Sequence, residues 1–102
     1  MGDVQVAVTQ IHPIVVTIRL SGDIDQRTTG QLRAALVDVI VHRKPDRLII
    51  DLDAVTALDD VAVGVLRAGQ AAADDAGVTV SIHTTGSRIA ADLDEDGIHH
   101  AA

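Results

Sequence analysis

Two rhythms of apolar residues alternate along this chain. Val4, Val6 and Val8 alternate with Gln5, Ala7 and Thr9, the period of a half-buried strand. His12-Pro13 marks a turn, because proline restricts its predecessor and donates no N–H. Ile14 to Leu20 is rich in β-branched residues and predicts a second strand, hairpin-paired with the first and ended by Ser21-Gly22-Asp23. After Asp25-Gln26-Arg27, Thr28 or Thr29 is suited to cap a helix. Leu32, Ala35, Leu36, Val39 and Ile40 follow at three- and four-residue steps. His42-Arg43-Lys44 places cations at the negative end of the helix dipole, and Pro45 stops the helix.

The period changes again between Leu48 and Leu66. Leu48, Ile49, Ile50 and Leu52 form an apolar run too short for a helix and predict a buried strand. Thr56 then lies in a polar turn, and Asp59 and Asp60 stand where a second helix begins. Carboxylates there accept from free first-turn N–H groups and suit the positive end of the dipole. A strand that passes through a polar turn to a helix N-terminus is where α/β proteins place function.

The second helix has two faces. Ala62, Val65, Leu66, Gly69, Ala72, Ala73 and Ala76 form a core stripe; Asp60, Gly64, Arg67, Ala68 and Ala71 lie opposite, with Val61 and Val63 on the flanks. A glycine inside a helix costs about 1 kcal/mol relative to alanine, so Gly64 calls for a reason, such as close approach of another backbone. Asp74, Asp75 and Gly77 end this helix. Val78 to Ile82 predicts a fourth strand, Ser87 caps a short helix through Leu93, and Gly97 breaks the chain. The order β-β-α-β-α-β-α, within one domain, predicts a mixed, mostly parallel sheet of four or five strands with helices packed against it. Residues 99–102 are expected to be a mobile tail.

Composition narrows the function. The 102 residues contain no Phe, Tyr, Trp or Cys, so aliphatic side chains and alanine fill the core, and neither disulfide nor thiolate chemistry is available. A formal charge of −7 repels phosphate backbones and argues against nucleic-acid binding. With no leader-like start and no apolar run of membrane-spanning length, the chain is expected to be soluble, cytoplasmic and independent of membranes.

Four segments in this order resemble the STAS family, the anti-sigma-factor antagonists and their relatives. Leu20-Ser21-Gly22-Asp23-Ile24-Asp25 is similar to the family's L-x-G-x-[IL]-D, and Leu48 to Leu52 to its buried strand. Asp59 to Leu66 is similar to D-S-S-G-[LV]-G-[VL]-L, and Ser87 to Leu93 with Gly97-Ile98 to its last helix and Gly-hydrophobic pair. The resemblance implies a bacterial, non-enzymatic regulator of transcription that works by partner switching. The antagonist binds a kinase-like anti-sigma factor and frees a sigma factor, and phosphorylation of a motif serine ends the complex. It implies a partner-binding face of Asp23, Asp25, Gln26, Asp59, Asp60, Val61, Val63, Gly64, Arg67 and Ala68, with Val61, Val63 and Ala68 giving apolar contact and Asp59, Asp60 and Arg67 the polar rim. The motif's serines fall on Asp60 and Val61. The phosphoacceptor position is therefore Val61, which has no hydroxyl, and no Ser lies between Thr56 and Ser81. Either the protein is permanently able to bind, or Asp60 imitates the phosphorylated state. The first is favoured, because Asp60 carries half a phosphate's charge and lies roughly 100° around the helix from Val61. Family members often continue past the Gly-hydrophobic pair, so a sheet edge or helix face is expected here that a partner or a weak homodimer covers.

Other chemistries fit less well. Asp59 and Asp60 as an acid/base pair lack a neighbouring His, Lys or Ser. Asp51 and Asp53 with Asp59 and Asp60 suggest a phosphoacceptor receiver, but the first strand ends without an acidic pair and the only Lys is Lys44. Asp92 to Gly97 opens like an EF-hand loop whose twelfth ligand would lie beyond Ala102; an acidic helix end explains it better. His99 and His100 alone do not make a metal site, so neither metal nor cofactor is expected. A ligand-sensing or scaffold module, holding a small anion or nucleotide at the second helix's N-terminus or binding a signalling partner, is the alternative function.

Overall fold

The computed structural model describes residues 5–11, 14–25 and 27–101. The elements are β1 (Gln5–Ile11), β2 (Val15–Ile24), α1 (Thr29–Val37), β3 (Arg47–Leu58), α2 (Asp60–Ala76), β4 (Thr79–His83) and α3 (Ser87–Glu95). One four-stranded sheet has the order β1-β2-β3-β4; β1 is antiparallel to β2, and β2, β3 and β4 are parallel. This is the mixed, mostly parallel sheet expected from the element order. Val4 and the His12-Pro13 turn lie outside the described residues.

Alternation in β2 and β3 puts Val16, Ile18 and Leu20 and Leu48, Ile50 and Leu52 on one buried face. Leu32 and Leu36 of α1, Leu66 and Ala73 of α2, and Ile89 and Leu93 of α3 join them in a single core. With no aromatic side chain to fill space, the core closes by interdigitated aliphatic groups.

Both central strands are longer than their apolar patterns suggest. Ser21-Gly22-Asp23 does not end β2, and the stretch around Thr56 is strand, not turn. Gly22 takes φ +84°, and the β2–β3 register shifts on both sides of it: β3 runs from Asp51 to Leu58 while β2 runs only from Arg19 to Ile24. These β-bulges interrupt the alternation, so that Val55 is buried where a strict period of two would not put it, and Leu58 returns to the phase of Leu48, Ile50 and Leu52.

The first helix also continues past its α-helical part. After Val37 the residues Asp38–Arg43 form a π-helical segment, closed by the Lys44 amide donating to the Val39 carbonyl at 2.9 Å. Lys44 is left-handed, φ +45°, and Pro45 follows. Thr28 occupies the N-cap position of α1, yet neither Thr28 nor Thr29 caps with its side chain: both hydroxyls donate to the Asp25 carbonyl, and Thr28 Oγ1 accepts from the Asp25 amide. Gly86, not Ser87, is the N-cap of α3.

The core stripe of α2 is narrower than its sequence suggests: Ala62, Val65, Leu66 and Ala73 are buried, but Ala72 and Ala76 are exposed. Residues 99–101 are not a free tail here. Ile98 is buried, Ala101 bridges His83, and its amide donates to the Ile82 carbonyl at 2.8 Å, so the chain end runs along the β4 edge.

Candidate partner-docking site

The ends of β2 and β3 and the start of α2 are tied together by short local bonds. The Asp59 amide donates to the Ile24 carbonyl at 3.1 Å, fixing the start of α2 against the end of β2. Asp59 is the N-cap, and its carboxylate accepts from the Ala62 amide at 2.9 Å. The acid expected to satisfy a first-turn N–H does so. Asp60 is exposed in the first turn, where its charge complements the helix dipole. Beside them the Thr56 hydroxyl donates to Asp23 Oδ1 at 3.5 Å.

Asp25 shapes the loop that leads into α1. Its carboxylate accepts from the Arg27 amide at 2.9 Å and meets the Arg27 guanidinium at 3.2 Å, while its own amide donates to Thr28 Oγ1. The Arg27 backbone bond, helped by the guanidinium, holds the Asp25 carboxyl below its ordinary range. Asp25 is thus a turn-forming residue at this end of the sheet. Gln26 lies outside the described residues.

The residues named on α2 divide between its two flanks. Val61 is 47% exposed, whereas Val63 is 2% exposed and cannot offer a partner apolar surface. Arg67, one turn beyond Val63, pairs with Asp96 at the end of α3 at 3.4 Å, and its side chain remains 60% exposed. Val61, Gly64 and Ala68 lie on the other flank, which faces α1 across an open groove of about 370 Å³.

Gly64 makes no close approach inside this chain, for a Cβ built on it would meet nothing within 4 Å. The close approach is at Gly69, whose Cβ would stand 3.0 Å from Leu36 Cδ1 of α1.

The α1 side of the groove is formed by Arg33, Val37 and Val41, a row at four-residue steps. Val37 and Val41 are 47% and 54% exposed. Of the exposed large aliphatic side chains among the described residues, only Ile14 lies away from this groove. Reading α1 by its main apolar stripe misses the row; the signal was a second apolar register, Val37 and Val41, beside Leu36 and Ile40.

Several other acids have structural partners. Asp51 pairs with Arg19 at 3.3 Å and accepts from the Asp53 amide; Asp53 accepts from the Thr85 amide and hydroxyl at 2.7 and 3.1 Å. Asp94 meets His100 at 2.9 Å. Among the described residues no cluster of three or more His, Asp or Glu is placed to hold a metal ion, and no helix is long and apolar enough to cross a membrane.

Comparison with known proteins agrees with the fold. Residues 7–100 match the family model described as the Mlab, STAS domain, and the chain belongs to the STAS domain family. An anti-sigma factor antagonist from Mycobacterium paratuberculosis superposes with a TM-score of 0.79 at 23% identity, over 97% of this chain and 86% of that one. The phosphorylated form of the Bacillus cell fate determinant SpoIIAA gives 0.77 at 16% identity, over 96% and 92%. A serine-to-glutamate variant of Moorella thermoacetica RsbS gives 0.80 at 19% identity, over 96% and 86%. No curated protein matches the chain in sequence.

Proposed function

We propose that this protein is an anti-sigma-factor antagonist that binds an anti-sigma factor through the N-terminal half of α2 and so releases a sigma factor, without catalysis or a cofactor. The observation that supports this most directly is Val61: it stands exposed on the first turn of α2, at the open edge of an apolar groove, where the family motif carries its phosphoacceptor serine. The docking face is Val61, Gly64 and Ala68, rimmed by Asp60 and by Asp23 at the end of β2. Val63 is buried and acts only through the shape of α2, while Arg67, paired with Asp96, stays exposed as a polar residue beside this face.

With a side chain that cannot accept a phosphoryl group, the usual release step is lost and the protein stays competent to bind. Asp60 does not line the groove and so does not put a charge where the phosphate of a modified relative would lie. A nucleotide held at the α2 N-terminus is disfavoured, because the Asp59 carboxylate already takes the Ala62 amide and Asp60 adds a second negative charge.

The test is reconstitution with the anti-sigma factors of the same host, with and without ATP. A cognate anti-sigma factor should form a complex that survives ATP with no phosphate on the antagonist, and Val61→Arg should abolish it. Stoichiometric phosphate on Thr56 or a neighbour refutes the unswitched reading. Unchanged binding by Val61→Arg refutes the docking face.

A further inference from the structure

We propose that the groove between α1 and α2 binds an aliphatic monocarboxylate, its hydrocarbon chain lying along Leu36, Ile40 and Val65 and its carboxylate on Arg33. The volume, about 370 Å³, falls within the range of small-molecule sites, and the walls are almost wholly hydrocarbon. No aromatic residue exists to stack a planar ring, so the surface suits a flexible aliphatic body.

Charge selects the head group. Arg33 is the one charged residue among those lining the groove, and among the described residues it forms no ion pair. A guanidinium matches a carboxylate with two parallel N–H donors. Because side chains on a helix lean toward its N-terminus, Arg33 reaches toward the end of the groove where Val61 and the α2 N-terminus lie. The chain carries −7 overall, which favours a monoanion over a phosphate dianion.

Val61, Gly64 and Ala68 belong both to this groove and to the proposed docking face. On that reading, a bound carboxylate and a protein partner exclude one another. Occupancy by a small amphiphile then supplies the release step that Val61 cannot provide by phosphorylation. Ligand binding itself needs no partner and is tested without one.

Sodium decanoate, below its micelle concentration, is titrated into the full chain and followed by NMR and calorimetry, with decanol as the uncharged probe. We expect saturable one-to-one binding, with shifts at Val37, Val41, Val61 and Gly64. Arg33→Gln should weaken decanoate roughly tenfold and leave decanol unchanged, as loss of one charge-assisted pair predicts. Ala72→Leu, which fills the far end of the groove, should weaken both. Absence of saturable binding to the wild-type chain overturns the proposal, as do shifts confined to the open sheet face or an equal effect of Arg33→Gln on acid and alcohol. Concentration-dependent dimerisation that shields Val37 and Val41 would assign the groove to a second copy and also overturn it. If decanoate binds but fails to displace a validated anti-sigma partner, the ligand site stands and the shared-surface reading falls.

Discussion

Gly69 of α2 lies against Leu36 of α1 so closely that a methyl group on Gly69 would stand 3.0 Å from Leu36 Cδ1. Gly64, five residues earlier on the same helix, has no such neighbour. The two glycines should therefore respond in opposite ways to alanine. At Gly64 the substitution restores helix propensity without a clash and should stabilise the protein by about 0.5–1 kcal/mol. At Gly69 the same gain is set against overpacking of the α1–α2 contact, which costs roughly 1–3 kcal/mol. Gly69→Ala should accordingly be the less stable of the two variants by at least about 1 kcal/mol. Urea unfolding followed by circular dichroism measures both, since the chain has no aromatic chromophore. If Gly64→Ala is more stable yet binds its partner less well, the glycine serves an approach from outside the chain.

Asp59 and Asp60 stand side by side in sequence but differ in what they do. Asp59 holds the Ala62 amide, so Asp59→Ala should cost about 1 kcal/mol, with Asp59→Asn retaining most of that. Asp60 contributes through its charge near the dipole, and Asp60→Asn should cost only about 0.3–1 kcal/mol. Salt separates them: the Asp60 contribution should shrink as ionic strength rises, and that of Asp59→Ala should change little. Equal sensitivity to salt would show that the cap bond is not what Asp59 provides.

The strands and the α2 N-terminus are readable from the sequence because alternation and capping are local. Val16, Ile18 and Leu20 announce one buried face, and Asp59 announces a cap, without knowledge of the rest of the chain. What is not readable depends on neighbours distant in sequence. Val61 and Val63 flank the helix symmetrically on paper; only the packing of the folded chain buries Val63 in the core and leaves Val61 exposed. Gly64 and Gly69 look equally unexplained until Leu36 is placed against one of them. The lengths of β2 and β3 are hidden for a different reason. Bulges break the alternation, so Val55 falls out of step with Leu48 and Ile50 before Leu58 rejoins them, and the stretch resembles a turn.

The Asp25 turn has a pH signature of definite sign. Its carboxyl is held below the ordinary carboxylate value, first by the Arg27 amide and then by the Arg27 guanidinium. A depressed folded-state value means the ionised form stabilises the fold. That contribution is complete above the unfolded-state value and is lost as pH falls through the folded-state value. A carboxyl-detected NMR titration should find Asp25 titrating below a free aspartate. Arg27→Ala should raise it only part of the way, because the backbone amide at 2.9 Å remains. A complete return to the ordinary value would show that the guanidinium, not the amide, holds it down.

On the proposed reading, Val61 stands where phosphorylated relatives carry a serine, and its position makes that reading testable by a single substitution. It is 47% exposed and borders a groove, so Val61→Ser removes little buried surface and should change stability by less than about 1 kcal/mol. The new hydroxyl would lie in the first turn of α2, two residues beyond the cap, next to Asp60. If the docking face is retained, a cognate kinase-like anti-sigma factor should bind Val61→Ser as it binds the wild type and then phosphorylate it. The complex should dissociate on adding ATP, because nearly two negative charges beside Asp60 in a packed apolar contact are both repelled and costly to desolvate. Phosphate transfer measured by mass spectrometry, alongside complex lifetime, checks both halves. Binding without phosphorylation would mean that the partner docks on this face but lacks the kinase step. Phosphorylation without dissociation would mean that the interface lies elsewhere than at the mouth of the groove.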